Sequence, residues 1–547
     1  MSEFYQEAPR LANQYDDDPL LRDYLRWRLP RSMHQAIEPA LRQLGARAAS
    51  ELLALDAAAE ASPPRHVPYD PWGRRIDRIE TSDAWRALDR VAAEEGLVAT
   101  GYERANGSLS RVDQFARLYL YAPSSATYSC PLAMTDGAAR LLELHPDEAT
   151  RSVFERLTTR DPARFWTSGQ WMTERTGGSD VASTTTIARR VNDGAYGYRL
   201  VGTKWFTSAT TSQVAITLAR IEGAPPGGRG LSVFLVRLRD DDESLRGIRV
   251  NRLKDKLGTR ALPTAELSLE ETPAHLVGGA GDGIRKIAAL FNVTRVYNAV
   301  AAVAGMRRAI ALAHDYATKR IAFGKPILQH PLHAETLAAL EVEWAAGFHL
   351  AFRVVELLGR QECDEASESE AALLRLMIPV AKLYTAKQAV AVASEALESF
   401  GGAGYIEDTG LPRLLRDAQV LSIWEGTTNV LSLDVLRAIE KTNALAAFID
   451  DVRQRLGALP SPVLGEAAAR VDEALLSVEA FGERLSREGR DFAEVHARRF
   501  AYAIARVWSA SLMLEHASHQ SDESSARIAL RWCAGNLAPL EASELVF

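Results

Sequence analysis

The period of the apolar positions changes twice along this chain. Up to about Arg164 they recur at helical spacing, as in Ala40–Leu55, a run that Ser62-Pro63-Pro64 brings to an end. From about Gln170 to Leu276 the period becomes alternating. Tyr198–Thr207, Val214–Arg220, Leu231–Arg237 and Ala265–Glu270 read as strands, with Gly223–Gly230 the clearest turn between them. After Gly283 the helical stripe returns over Ile284–Arg320, Leu332–Leu358 and Ala371–Phe400, and Gly401-Gly402 gives the last of these a glycine stop. Leu459-Pro460-Ser461-Pro462 marks a boundary before a final helical region.

The pattern predicts an α+β, mostly α fold. Residues 1–165 form an N-terminal helical domain with an extension, and 166–281 a central antiparallel β domain. Residues 282–440 form a helical bundle, and 441–547 an additional helical domain. Tyr69–Asp77, rich in Pro, Gly and Arg, reads as loop.

Composition narrows the classes. With 547 residues the chain needs more than one core, and its 47% hydrophobic and 25% charged residues are those of a globular protein. A formal net charge of −7 does not suggest nucleic acid as a partner by bulk electrostatics. Cys130, Cys363 and Cys533 lack metal-ligand spacing, so no metal site is expected. The polar, acidic start and the lack of a long apolar run read as a soluble, cytoplasmic protein. No Gly-x-Gly-x-x-Gly opens a βαβ unit, which argues against a Rossmann dehydrogenase.

Four segments could carry chemistry. In Trp424-Glu425-Gly426-Thr427-Thr428-Asn429 a carboxylate follows a Trp and precedes hydroxyls able to cap a helix. Against an aromatic wall such a Glu loses hydration and becomes a better base, whereas in solvent it is only a helix-start charge. Met172-Thr173-Glu174-Arg175-Thr176-Gly177-Gly178-Ser179-Asp180 offers unobstructed backbone N–H groups to a flavin or phosphate, or is a plain turn. Arg320-Ile321-Ala322-Phe323-Gly324 caps a helix or grips a pyrophosphate. Phe400-Gly401-Gly402-Ala403-Gly404 stops a helix or lets a ligand approach closely.

Together and in this order, with Gly202–Ser208 and Arg416-Asp417-Ala418, these segments resemble the acyl-CoA dehydrogenase superfamily from roughly Ala87 to Glu440. The Tyr69–Asp77 loop, Arg252–Gly258 and the extra C-terminal region resemble its AidB-like branch. The resemblance implies FAD as cofactor, an acyl-CoA thioester as substrate, and α,β-dehydrogenation with Glu425 as base and flavin N5 as hydride acceptor. Trp424 stands where the family usually has Tyr. Arg295 and Ser179 would contact substrate. Met172, Thr173, Gly178, Ser179, Phe206, Ser208, Arg320, Phe323, Glu398, Gly401, Gly402, Thr427 and Asn429 would hold the cofactor.

Glu398, Asn429 and Pro331 stand where the family has glutamine, which alters the expected adenine and phosphate contacts. The resemblance further implies a homo-oligomer, a tetramer in the family, and an electron-transfer flavoprotein as acceptor. Two alternatives are a DNA-binding flavoprotein of an alkylation-damage response and a flavoprotein that sequesters fatty acyl-CoA. Residues 441–547 carry 12 Lys and Arg against 15 Asp and Glu, and this net of −3 disfavours DNA.

Overall fold

The computed structural model describes residues 5–192, 196–240, 243–459, 464–520 and 523–540. The chain divides into two compact units, one of Ser50–Glu103 with Ser124–Tyr297, the other of Met1–Ala49, Arg104–Pro123 and Asn298–Phe547.

The first unit is built on a closed sheet. A hairpin precedes it, β1 (Arg65–Tyr69) with β2 (Arg75–Glu80). The sheet itself comprises β3 (Ser168–Trp171), β4 (Ile187–Arg190), β5 (Tyr198–Ser208), β6 (Val214–Ile221), β7 (Leu231–Arg237), β8 (Ile248–Leu253) and β9 (Thr264–Val277). Strands β6, β4, β5, β9 and β7 follow one another in space, and a β6–β7 pairing closes the ring. Strand β3 lies against β6 and β8 against β9. Pairing is largely antiparallel, with β3 and β4 running parallel to β6. Closure leaves few free edges.

Both faces of this sheet are covered, which explains why β6 reads Val-Ala-Ile-Thr-Leu-Ala without a polar face. Ala215 and Ala219 pack into one cluster with Trp171, Tyr198, Phe234 and Leu267. Val214, Ile216 and Leu218 pack into another with Leu141, Leu142 and Leu290.

Tyr69–Asp77 is not all loop, as the sequence suggested. Its Pro and Gly mark only the turn, where Asp70 Oδ1 accepts from the N–H groups of Trp72 and Arg74, both at 2.9 Å. Arg75–Asp77 belongs to β2, where register with β1 gives those residues backbone partners.

The second unit is helical. Its longest elements are Pro331–Glu362, Glu368–Ser399 and Arg490–His519, joined by most of Ala288–Lys319 and by Thr428–Lys441, Ala444–Gly457 and Gly465–Glu488. The predicted Ala40–Leu55 run is two helices, Arg31–Ala48 and Glu51–Ala61, broken at Ala49–Ser50. The Glu368–Ser399 helix begins with a reciprocal cap between Ser367 and Glu370. The boundary read at Leu459–Pro462 falls mostly outside the described residues.

A buried charge network ties the N-terminal helix to the bundle. Glu356 accepts from Tyr24 Oη at 2.6 Å, from Arg28 at 2.5 Å and from Arg353 at 2.6 Å. Burial alone would raise the Glu356 pKa, but Arg353 and Arg28 outweigh it and hold the carboxyl near 2. Asp451 extends the same chemistry, accepting from Arg455 at 3.0 Å and from Trp508 Nε1 at 2.7 Å.

Candidate active site

In the β unit, the segment from Met172 to Ser179 leaves the end of β3 and is pinned by a buried ion pair. Lys204 Nζ, fully buried on β5, donates to Glu174 Oε1 and to the Leu218 carbonyl, each at 2.9 Å. Glu174 also accepts from Thr185 N and Oγ1 at 2.7 and 2.6 Å, and from Thr186 N and Oγ1 at 3.2 and 2.5 Å. Burial would raise this carboxyl, but Lys204 and the two threonines overcome it and hold it near 2. The pair therefore fixes Thr173, whose carbonyl accepts from Trp205 N at 3.0 Å. Gly178 is required by close approach, because a Cβ there would lie 2.8 Å from Thr173 Oγ1.

A bulge on β5 sets the aromatic residues. Lys204 pairs with Leu267 and Thr207 with Ala265, so one extra residue is accommodated between them. Both rings of that segment face one cation, Lys254 Nζ, which lies 3.9 Å from the Trp205 centroid and 4.5 Å from that of Phe206. Phe206 remains 56% exposed, a large ring offered to a ligand. Ser208 Oγ lies 3.1 Å from Thr264 Oγ1. An exposed aromatic ring, a hydroxyl two residues on and a glycine loop without obstructing side chains fit a flat ring system such as a flavin. The Met172 side chain is instead in the core, so only its backbone could serve a ligand. Ser179 is exposed, and Arg295 is half-buried with its guanidinium 6.0 Å from the Phe291 ring.

In the helical unit, Glu425 occupies a short connection between the helices Pro412–Leu421 and Thr428–Lys441. Its φ is +56°, and that of Gly426 is +105°. Trp424 donates from its indole N–H to Asn298 Oδ1, which holds the ring beside the carboxylate-bearing residue. Lys382, fully buried on the Glu368–Ser399 helix, donates to the carbonyls of Trp424 at 2.7 Å and Gly426 at 2.6 Å. Thr427 is the N-cap of the next helix, but through its backbone, since its side chain makes no capping bond. Thr427 and Asn429 are both exposed.

Arg320 and Phe323 do more than end a helix. After Lys319 the chain forms a two-residue hairpin, β10 (Ile321–Ala322) with β11 (Lys325–Pro326). Phe323 and Gly324, at φ +49° and +82°, make its turn. The turn projects Phe323 until it is 96% exposed. Arg320 donates to Gln6 Oε1 at 3.2 Å. Tyr316 and Phe400, with ring centroids 5.0 Å apart, bring this end of the helix beside Gly401 and Gly402, which are exposed and uncrowded. Glu398 is exposed on the last turn before them.

Lys382, Lys254 and the Lys204–Glu174 pair escaped the sequence reading. A lysine in an apolar helix carries no local signal of what it donates to. A different cavity of about 1460 Å³ lies in the β unit, beside the β1–β2 hairpin. Several of its arginines are paired with carboxylates, Arg75 to Asp77 at 2.8 Å and Arg249 to Glu270 at 3.1 Å among them. No cluster of His, Cys, Asp and Glu suited to a metal occurs among the described residues.

Comparison with known proteins agrees along the whole chain. Residues 7–161 match the AidB N-terminal domain, and 169–272 the acyl-CoA dehydrogenase middle domain. Residues 281–440 match the acyl-CoA dehydrogenase C-terminal domain, and 443–545 a domain like the C-terminal domain of acyl-CoA dehydrogenase 11. Acyl-CoA dehydrogenase family member 11 of Caenorhabditis elegans is 45% identical, covering 97% of this chain and 88% of its own. AidB of Escherichia coli (strain K12) is 34% identical over 86% of this chain and 83% of its own. The crystal structure of the C. elegans protein in complex with C11-CoA superposes with a TM-score of 0.96 at 44% identity, covering 99% of this chain and 94% of that one.

Proposed function

The chain belongs to the acyl-CoA dehydrogenase family, and from that premise we propose that it oxidises an acyl-CoA thioester between its α and β carbons, with Glu425 as the base. Its cofactor is FAD, which when bound accepts at N5 the hydrogen that leaves the β carbon with its electron pair.

The α C–H is too weakly acidic for a bare carboxylate. The thioester oxygen therefore needs a donor, and the backbone N–H of Glu425 supplies one. Trp424, whose indole is held by Asn298, precedes the base in sequence and is the aromatic neighbour assigned in this reading to limit its hydration. Thr173, Gly178, Phe206 and Ser208 hold the flavin ring, with Met172 serving through its backbone. Arg320, Phe323, Glu398, Gly401, Gly402, Thr427 and Asn429 contact the remainder of FAD. Ser179 and Arg295 contact the substrate.

The observation that carries this reading is the Glu425 connection itself, a carboxylate-bearing residue at φ +56° clamped from both sides by Lys382. The exposed Phe323 and the glycines at 401 and 402 support a homo-oligomer, a tetramer, in which FAD contacts reach a neighbouring copy. The proposed functional domains are 1–165, 166–281, 282–440 and 441–547. The electron acceptor is an electron-transfer flavoprotein and the site of action the cytoplasm. No helix among the described residues is long and apolar enough to cross a membrane. DNA binding is disfavoured by the last helices, where Arg484 and Arg490 each lie within 2.8 Å of a glutamate four residues on.

Anaerobic titration with acyl-CoAs of graded length, beginning near eleven carbons, tests the proposal through flavin absorbance. Bleaching by one substrate class, abolished in Glu425→Gln, is expected. A protein that binds FAD and acyl-CoA but never bleaches would refute dehydrogenation and favour sequestration.

A further inference from the structure

Lys382 has no part in the chemistry just described, yet its ammonium donates twice to the segment that carries the base. The side chain is fully buried, on a helix packed against the 412–441 region. It donates to the carbonyls of residues 424 and 426, which flank Glu425. Burying a cation here costs solvation, and two short charge-assisted bonds to carbonyls compensate it.

The direction of those carbonyls matters more than their number. The peptides are trans and planar, so the N–H of each unit points opposite to its C=O. With the carbonyls of Trp424 and Gly426 both turned onto Lys382, the N–H groups of Glu425 and Thr427 are turned away from it. Glu425 at φ +56° and Gly426 at φ +105° allow alternate carbonyls to converge in this way. A left-handed conformation is costly for glutamate, and the clamp stabilises it. A positive charge 2.7 Å from the Trp424 oxygen also polarises that peptide, which makes the Glu425 N–H a stronger donor.

We propose that Lys382 is a positioning residue for catalysis: it aims the Glu425 N–H at the thioester oxygen, strengthens it as a donor, and fixes where the base stands. The inference rests on the assignment of Glu425 as base. Its ligand is the thioester carbonyl at the moment negative charge develops there, so its effect belongs to the transition state more than to ground-state binding.

The test uses the FAD-loaded full-length protein and the variants Lys382→Met, similar in length but neutral, and Lys382→Gln, a neutral donor. Stopped-flow bleaching by the best acyl-CoA separates the limiting rate from Kd. In Lys382→Met the limiting rate should fall at least about 10-fold, with Kd within about 3-fold and FAD content unchanged. A second readout is a 3-thia-acyl-CoA, which can lose its α proton but cannot be oxidised. The long-wavelength band of its enolate on the flavin reports the bound ligand's apparent pKa, which should rise by about one unit in Lys382→Met and by less in Lys382→Gln. A purely structural lysine would leave that pKa unmoved.

A limiting rate per bound flavin within 2-fold of the unaltered protein, or an unchanged enolate pKa, overturns the proposal. If Lys382→Met fails to fold, the enolate pKa in Lys382→Gln decides by the same criterion. Loss of bleaching in Glu425→Gln with no effect at Lys382 overturns this inference alone. Undiminished bleaching in Glu425→Gln overturns the base assignment and this inference with it.

Discussion

Replacing Lys204 by methionine would test whether a buried ion pair holds the Met172–Ser179 loop, proposed to face the flavin, in place. The change removes the cation 2.9 Å from Glu174 Oε1 and from the Leu218 carbonyl, at a position with no solvent exposure. Breaking a buried pair from one side costs about 3–5 kcal/mol, because the other charge stays buried. Glu174 keeps four other donors, from Thr185 and Thr186, so the cost here belongs at the low end, about 3 kcal/mol.

The sign of the pH dependence follows from the Glu174 pKa, near 2 in the folded protein against an ordinary 4.5. A depressed carboxylate stabilises the fold fully above pH 4.5, and that contribution fades as pH falls toward 2. After discounting for screening it is worth about 2 kcal/mol. Without Lys204 the same carboxyl titrates higher, and the acid limb moves up with it. A chain of this size does not unfold in two states, so a local measurement is needed. Hydrogen exchange of the peptide spanning residues 173–186 should accelerate about 100-fold at pH 7 in Lys204→Met. The double variant Lys204→Met with Glu174→Gln should recover much of that loss, since no lone charge remains. Unchanged exchange in the single variant, or a double variant as fast as the single, would refute this account of the loop.

Three further outcomes follow from the same geometry. Gly178→Ala places a methyl 2.8 Å from Thr173 Oγ1, and should reduce FAD retention on gel filtration about 10-fold or more while the melting of the FAD-free protein stays within a few degrees. Glu356→Gln leaves the half-buried Arg28 and Arg353 without their carboxylate; a loss of about 3 kcal/mol is expected, read as earlier urea release of the N-terminal helix, and the unaltered contact should weaken only as pH falls from 4.5 toward 2. Trp508→Ala empties a fully buried site and deprives Asp451 of a donor at 2.7 Å; it should cost about 3–5 kcal/mol by chemical denaturation of the helical unit, without changing the β unit's exchange.

The sequence determined what local periodicity can encode. Alternation specifies strands whatever their partners, and Leu231–Arg237 appears at the predicted bounds. Long apolar stripes specified the helices Pro331–Glu362 and Glu368–Ser399 to within a few residues. The turns at Glu425 and Gly401 were legible as breaks between helices, because small and polar residues in sequence mark where a helix stops. Tertiary structure decided what depends on partners far along the chain. The β1–β2 pairing inside an apparent loop, the bulge that turns Trp205 and Phe206 toward Lys254, and the break at Ala49–Ser50 belong to this group. Lys382 shows the limit most clearly. In sequence it is one cation on an apolar helix, and nothing within a few residues says why it is buried. Its acceptors lie 42 and 44 residues away, and only the packed chain brings those carbonyls within reach of its ammonium.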